Sequence, residues 1–195
     1  MNRRVRAPAF SLFLVVHRSD GSGTTWVWSN NLSKVSAAWA GAVSRGATLH
    51  WPVGIGAEGN EGVAETVEKT SNSIGYVELA YAIQRQLNFA AVRNRPGVFV
   101  HADLDSLAEA ARSAGSGAEL PGDIADTPGH DAYPVAAFTW LLIPSPTANP
   151  QKRAALLELL LWILTSGQKE CSALGYSPLP RPIAESQLRG LGATP

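Results

Sequence analysis

A chain of 195 residues, 45% apolar, is long enough to bury one core, or one and a fraction, and too apolar for a disordered polymer. Sixteen basic residues balance sixteen acidic ones, which argues against a general nucleic-acid or membrane-surface binder. The single cysteine, Cys171, excludes an internal disulfide, and the four histidines lack ligand spacing, so no metal site is expected.

The apolar run Phe10–Val16 reads as a buried strand. Arg3, Arg4 and Arg6 before it give the N-terminus the look of a short secretory leader. The residues that follow, His17-Arg18-Ser19-Asp20, offer no small-residue cleavage site. The run is therefore read as the strand feeding the stretch Arg18-Ser19-Asp20-Gly21-Ser22-Gly23-Thr24-Thr25. Gly21 and Gly23 permit a tight turn there, and Ser22, Thr24 and Thr25 supply hydroxyls and cap chemistry for a helix. Unpaired N–H groups at a helix start favour an anion. Arg18 adds a planar fork of donors suited to oxyanions, and Asp20 can orient it. A capped helix with a surface Arg18–Asp20 ion pair is the plainer alternative.

Next, Thr25–Ala42 reads as one helix, Thr48–Val53 as a short strand, and Glu61–Thr70 as a helix with Asn60 as its N-cap. A strand Ile74–Glu78, a helix Leu79–Gln86, strand pieces Phe89–Val92 and Val98–His101, and a helix Leu104–Ala114 follow. Ser113–Gly129 is rich in glycine and small polar residues and reads as a loop or linker. Tyr133–Ile143 reads as a strong strand, Gln151–Ser172 as a long helix whose centre, Ala154–Leu164, is apolar almost all round, and the tail after Leu179-Pro180-Arg181-Pro182 as a last short helix.

Two motifs compete with the Arg18–Thr25 stretch. Gly54-Ile55-Gly56-Ala57-Glu58-Gly59 matches a dinucleotide fingerprint, with Glu78 about twenty residues on. Pro52, in the expected preceding strand, weakens it. The reading it allows is a nucleotide-binding enzyme. Ser22 with His17 and Asp20 nearby suggests a hydrolase, but the sequence around Ser22 is not a nucleophile elbow, and His17 alternates with Arg18 along a strand.

The combination of Arg18–Thr24, Trp51–Val63, Ser73–Ala82, Tyr133-Pro134, Thr139–Pro144 and Leu174–Pro180, in that order, resembles the phosphate-binding proteins of bacterial high-affinity ABC phosphate uptake systems. The resemblance runs from about residue 14 to 190. It implies an α/β, periplasmic-binding-protein-like fold of the type II, Venus-flytrap kind, truncated to one lobe plus the C-terminal part of the other. In that scheme 1–13 is a segment outside the family, 14–130 is the second lobe carrying the oxyanion loop, and 131–195 is the C-terminal strand and helices of the first lobe, whose remainder is not in this sequence. Carried over by position, Arg18, Ser22, Gly23 and Thr24 are the second-lobe phosphate ligands, with Asp20 supporting Arg18. The implied role is binding without catalysis: no catalytic residue, metal or cofactor. The implied partners are inorganic phosphate and the permease subunits of an ABC transporter, with a periplasmic or cell-surface location. Nucleic acid is not among them. An apolar segment at 131–195 without its lobe partners implies self-association.

Overall fold

The structure is a computed structural model and describes residues 13–115, 122–143 and 149–191. Contacts fall into two compact units, Met1–Asn88 and Phe89–Pro195.

In the first unit the central strand β1, Leu14–Arg18, lies between β2, Ile55–Ala57, and β3, Ser73–Gly75. Both neighbours are parallel to it, with Val16 opposite Ile55 on one side and Gly75 on the other. Helices α1 (Gly23–Val35), α2 (Ala37–Ala42), α3 (Gly59–Lys69) and α4 (Leu79–Gln84) complete the unit. Parallel strands require crossovers, and α3 makes the one from β2 to β3. Its Val63 and Ala64 are fully buried, as is Val16 on β1.

Several sequence expectations shift here. The strand expected at Phe10–Val16 runs Leu14–Arg18, with Phe10 outside the described residues. The single helix expected over Thr25–Ala42 breaks at Ser36. Its N–H donates to the Leu32 carbonyl at 2.9 Å, and its hydroxyl accepts from the Trp39 N–H at 3.2 Å. A short polar side chain that bonds local backbone ends one helix and caps the next. Thr48–Val53 is not a strand. Proline has no N–H to give a ladder, and the strand forms just after Pro52, at Ile55–Ala57. Gly54 makes that entry, at φ +102°, where an added Cβ would lie 2.4 Å from the Val15 carbonyl oxygen. The strand expected over Ile74–Glu78 is confined to Ser73–Gly75, the three residues that find partners on β1.

In the second unit β4, Val92–Arg93, pairs antiparallel with β5, Phe99–Val100. Asn94 fixes this hairpin. Its carbonyl oxygen accepts from the Val98 N–H at 2.9 Å, and its amide donates to the carbonyls of His130 at 2.7 Å and Ala132 at 3.2 Å. Helix α5, Leu104–Ser113, starts in a capping box between Asp103 and Ser106. Helix α6, Pro150–Leu164, is capped by Asn149, and α7 spans Arg181–Gly190. The core gathers Ala110, Ala111, Ile124, Ala132, Ala136 and Ile183.

Tyr133–Ile143 is not a strand, against expectation. A β-rich run becomes a strand only where a neighbour offers ladder partners, and none does among the described residues. Pro134 is fully buried, whereas Trp140, Leu141, Leu142 and Ile143 are exposed, Leu142 by 93%. The helix expected over Gln151–Ser172 ends at Leu164. The Gln168 amide donates to the Ile163 carbonyl at 2.7 Å, closing the helix end, and the chain continues as 3-10 turns over Ser166–Glu170 and Ser172–Leu174. Gly167 sits against Trp162, where a Cβ would lie 3.0 Å from the indole.

Candidate oxyanion site

The site lies wholly in the first unit, where β1 runs out and α1 begins. In a parallel sheet, the crevice beyond the carboxyl ends of the strands is where ligands are held. Arg18 is the last residue of β1, and Ser22 is the N-cap of α1.

Asp20 grips the Arg18 guanidinium by two bonds, Nε to Oδ1 at 2.7 Å and Nη2 to Oδ2 at 2.5 Å. Nη1 donates to Asn60 Oδ1 at 3.2 Å. The Arg18 backbone N–H donates to the Tyr76 hydroxyl at 3.2 Å, and that hydroxyl also shares a 2.7 Å bond with Thr25 Oγ1. The Arg18 side chain is 10% exposed and that of Asp20 35%, which is more enclosed than the plain surface ion pair the sequence also allowed.

The charges reinforce one another. The hydrogen bond from Arg18, followed by that from the Gly59 N–H, holds the Asp20 carboxyl well below the usual carboxylate range. The bond to Asp20 raises the Arg18 pKa further, against a smaller opposing effect of burial. Arg18 is thus a fixed cation in a fixed orientation.

The helix start supplies the remaining donors. The Ser22 hydroxyl oxygen accepts from the Thr25 N–H at 3.2 Å, and the Ser22 N–H donates to the Ala47 carbonyl at 2.9 Å. The Gly23 and Thr24 N–H groups have no recorded partner within the described residues, as the first turn of a helix leaves them. Gly23 is exposed, whereas Ser22 is 5% exposed. The Thr24 hydroxyl donates to Glu78 Oε1 at 3.5 Å, and the Asn60 amide donates to the same oxygen at 3.1 Å. A cavity of about 270 Å³ opens beside Arg18 and Asp20 and is also lined by Thr48, His50 and Trp51. Ser22, Gly23 and Thr24 do not line it.

All five residues singled out from sequence therefore sit in one β1–α1 connection, and Asp20 orients Arg18 as anticipated. Sequence reasoning gave Tyr76 no role, read Asn60 as a cap and noted Glu78 only as the acidic residue after the competing glycine motif. Helix α3 instead begins at Gly59, and Asn60 turns its side chain to Arg18 and Glu78. The usable signal was topological: adjacent parallel strands bring their carboxyl ends together, so residues just after β3 reach residues just after β1.

The competing motifs dissolve in this geometry. Of the Gly54–Gly59 run, Ile55–Ala57 is strand β2 itself rather than a phosphate loop after a strand. A Cβ at Gly56 would lie 2.9 Å from Ser19 Cβ, so that glycine serves strand packing. Glu78 is bound to Asn60 and Thr24. His17 stacks on Trp51 at 4.8 Å, and its Nδ1 lies 3.1 Å from the Arg18 carbonyl oxygen; no bond to Ser22 is recorded within the described residues.

Comparison with known proteins finds relatives along most of the chain. Residues 6–166 match the family model described as the PBP superfamily domain. The chain is 43% identical over 168 residues to the phosphate-binding protein PstS of Xylella fastidiosa (strain Temecula1), which covers 85% of this chain and 46% of that protein. It is 40% identical over 178 residues to that of Pasteurella multocida, covering 88% and 51%. With the Methanocaldococcus jannaschii protein of the same name it shares 36% over 196 residues, covering 91% and 50%. The chain spans about half the length of these curated relatives. With most of its length matched by the family model, the chain belongs to the PBP superfamily.

Proposed function

We propose that this chain binds inorganic phosphate, without chemistry, as part of a receptor for ABC-type phosphate import. The observation that carries the reading is Arg18, held by Asp20 and Asn60 beside the unpaired N–H groups that open α1. A braced guanidinium and oriented backbone dipoles bind a tetrahedral oxyanion by charge-assisted hydrogen bonds and need no reorganisation to do so. The relatives' name, phosphate-binding protein, supports phosphate as that ion. Arg18, Ser22, Gly23 and Thr24 are its ligands on this side, with Asp20 as the brace. Ser22 contributes through its hydroxyl proton, since its oxygen already accepts from Thr25.

In this reading 14–130 belongs to the lobe that carries the oxyanion loop and 131–195 to the other lobe. The partners are phosphate and the transporter's permease subunits, met outside the inner membrane, in the periplasm or at the cell surface. Among the described residues, no helix is long and apolar enough to cross a membrane. The exposed apolar side chains at 140–143 and on α6 make self-association part of the same proposal.

Calorimetric titration of the full chain with phosphate and with NAD tests this function. Saturable heat with phosphate and none with NAD is expected. NAD binding without phosphate binding would overturn it.

A further inference from the structure

One oxygen, that of the Tyr76 hydroxyl, pins both ends of the β1–α1 connection. It accepts from the Arg18 backbone N–H at 3.2 Å and shares a 2.7 Å bond with Thr25 Oγ1. Arg18 is the last residue of β1, and Thr25 lies in the first turn of α1. The sheet explains why a side chain takes this place. On the β2 side the ladder runs on past β1, where the Ser19 N–H donates to the Ala57 carbonyl at 3.0 Å. On the other side β3 stops at Gly75, opposite Val16, so it has no ladder partner for Arg18. The side chain of the next residue, Tyr76, takes that N–H instead.

The oxygen is itself held. The Tyr76 ring stacks on Trp28 of α1, with centroids 6.0 Å apart and planes at 13°, and on Trp51, 5.7 Å apart at 28°. Trp51 stacks in turn at 4.8 Å on His17, the neighbour of Arg18 on β1. Thr25 is 1% exposed, so its bond to Tyr76 is shielded from water. The two bonds act on the two groups that would hold an anion. One is the backbone from which the Arg18 guanidinium projects. The other is the start of α1, with the N–H groups of Gly23 and Thr24. We propose that Tyr76 is a positioning residue of the oxyanion site, its hydroxyl fixing the spacing between Arg18 and the start of α1. Hydrogen bonds weaken steeply with distance and angle, so loosening that spacing costs affinity although Tyr76 itself touches no ion. This role rests on the oxyanion reading of the Arg18 site.

Calorimetry of the full chain with sodium phosphate at neutral pH tests it. Tyr76→Phe keeps the ring and its stacking and deletes only the hydroxyl. It is expected to weaken phosphate about tenfold. Thr25→Val removes the other partner and is expected to weaken phosphate about fivefold, whereas Thr25→Ser keeps the hydroxyl and is expected to stay within about twofold of wild type. Adding Thr25→Val to Tyr76→Phe is expected to weaken phosphate by no more than about twofold further, because the shared bond is already gone. Val63→Ala loosens the core of the same unit without deleting a polar group, and is expected to leave affinity within about twofold of wild type. Tyr76→Phe within about twofold of wild type overturns the proposal, as do additive losses in the double variant. A loss in Val63→Ala equal to that in Tyr76→Phe also overturns it, since affinity would then follow stability alone. Should Tyr76→Phe fail to fold, the Thr25 pair decides: equal affinity in Thr25→Val and Thr25→Ser overturns the role. If Arg18→Ala abolishes phosphate binding while Tyr76→Phe leaves it unchanged, the site stands and the positioning role fails. If the wild-type chain binds no phosphate, or Arg18→Ala leaves phosphate binding intact, both fail together.

Discussion

Arg18 and Asp20 are two residues apart, and their pairing holds a long side chain in one orientation. Because the Asp20 pKa is lowered in the folded state, the stabilisation it brings is complete above its unfolded value near about 4. It is lost as pH falls through the lower folded value. Urea unfolding followed from neutral pH down to about pH 2 is expected to show wild-type stability falling below about pH 4. Asp20→Asn is expected to lose less over the same range, and parallel curves for the two would remove the pairing from the account. This pair was legible in the sequence because its members are adjacent. Asn60, Tyr76 and Glu78 lie 42, 58 and 60 positions from Arg18, and nothing local marks them. Only the order β2-β1-β3, which sets three carboxyl ends side by side, gives them a common place.

At the scale of elements, the sheet depends on two close approaches. Gly54 enters β2 at positive φ directly against the Val15 carbonyl, so any side chain there meets both backbone strain and a clash. Gly54→Ala is expected to cost about 2 kcal/mol or more of stability in a denaturant melt. Val63 on α3 is fully buried in the same unit as Val16 on β1, and Val63→Ala is expected to cost about 2 kcal/mol, part transfer and part cavity. A change below about half a kcal/mol in either variant would contradict this packing. Helices with clear caps, such as Leu104–Ser113, were read to within a residue, because capping chemistry is local. The failures share a cause. Thr48–Val53 and Tyr133–Ile143 have the composition of strands, but composition cannot show whether a ladder partner exists. The long helix from Gln151 was over-extended because its apolar run masks the end made by Gln168 and Gly167.

For the whole molecule, the distribution of apolar surface is uneven. Across the fifteen residues of α6, apolar from Ala154 to Leu164 except for Glu158, only Leu160 is buried, while Leu159 and Trp162 are half exposed. Trp140, Leu141, Leu142 and Ile143 are also exposed. Apolar exposure of this extent drives association in water. Sedimentation velocity over a concentration series is expected to show reversible association, reduced by Leu142→Glu with Trp162→Glu. A monomer at every concentration would contradict the self-association part of the proposal. The fold class and the PBP resemblance were legible because ordered motifs run along nearly the whole chain; the exposure was legible only as an expectation from the apolar run.

Capture of phosphate at the β1–α1 turn through Arg18 is the function proposed for this chain. Calorimetry comparing the wild-type chain with Arg18→Ala measures it most directly. Saturable phosphate binding is expected to weaken about a hundredfold in Arg18→Ala, the loss of two charge-assisted hydrogen bonds. Phosphate binding of equal strength in the two proteins would contradict it.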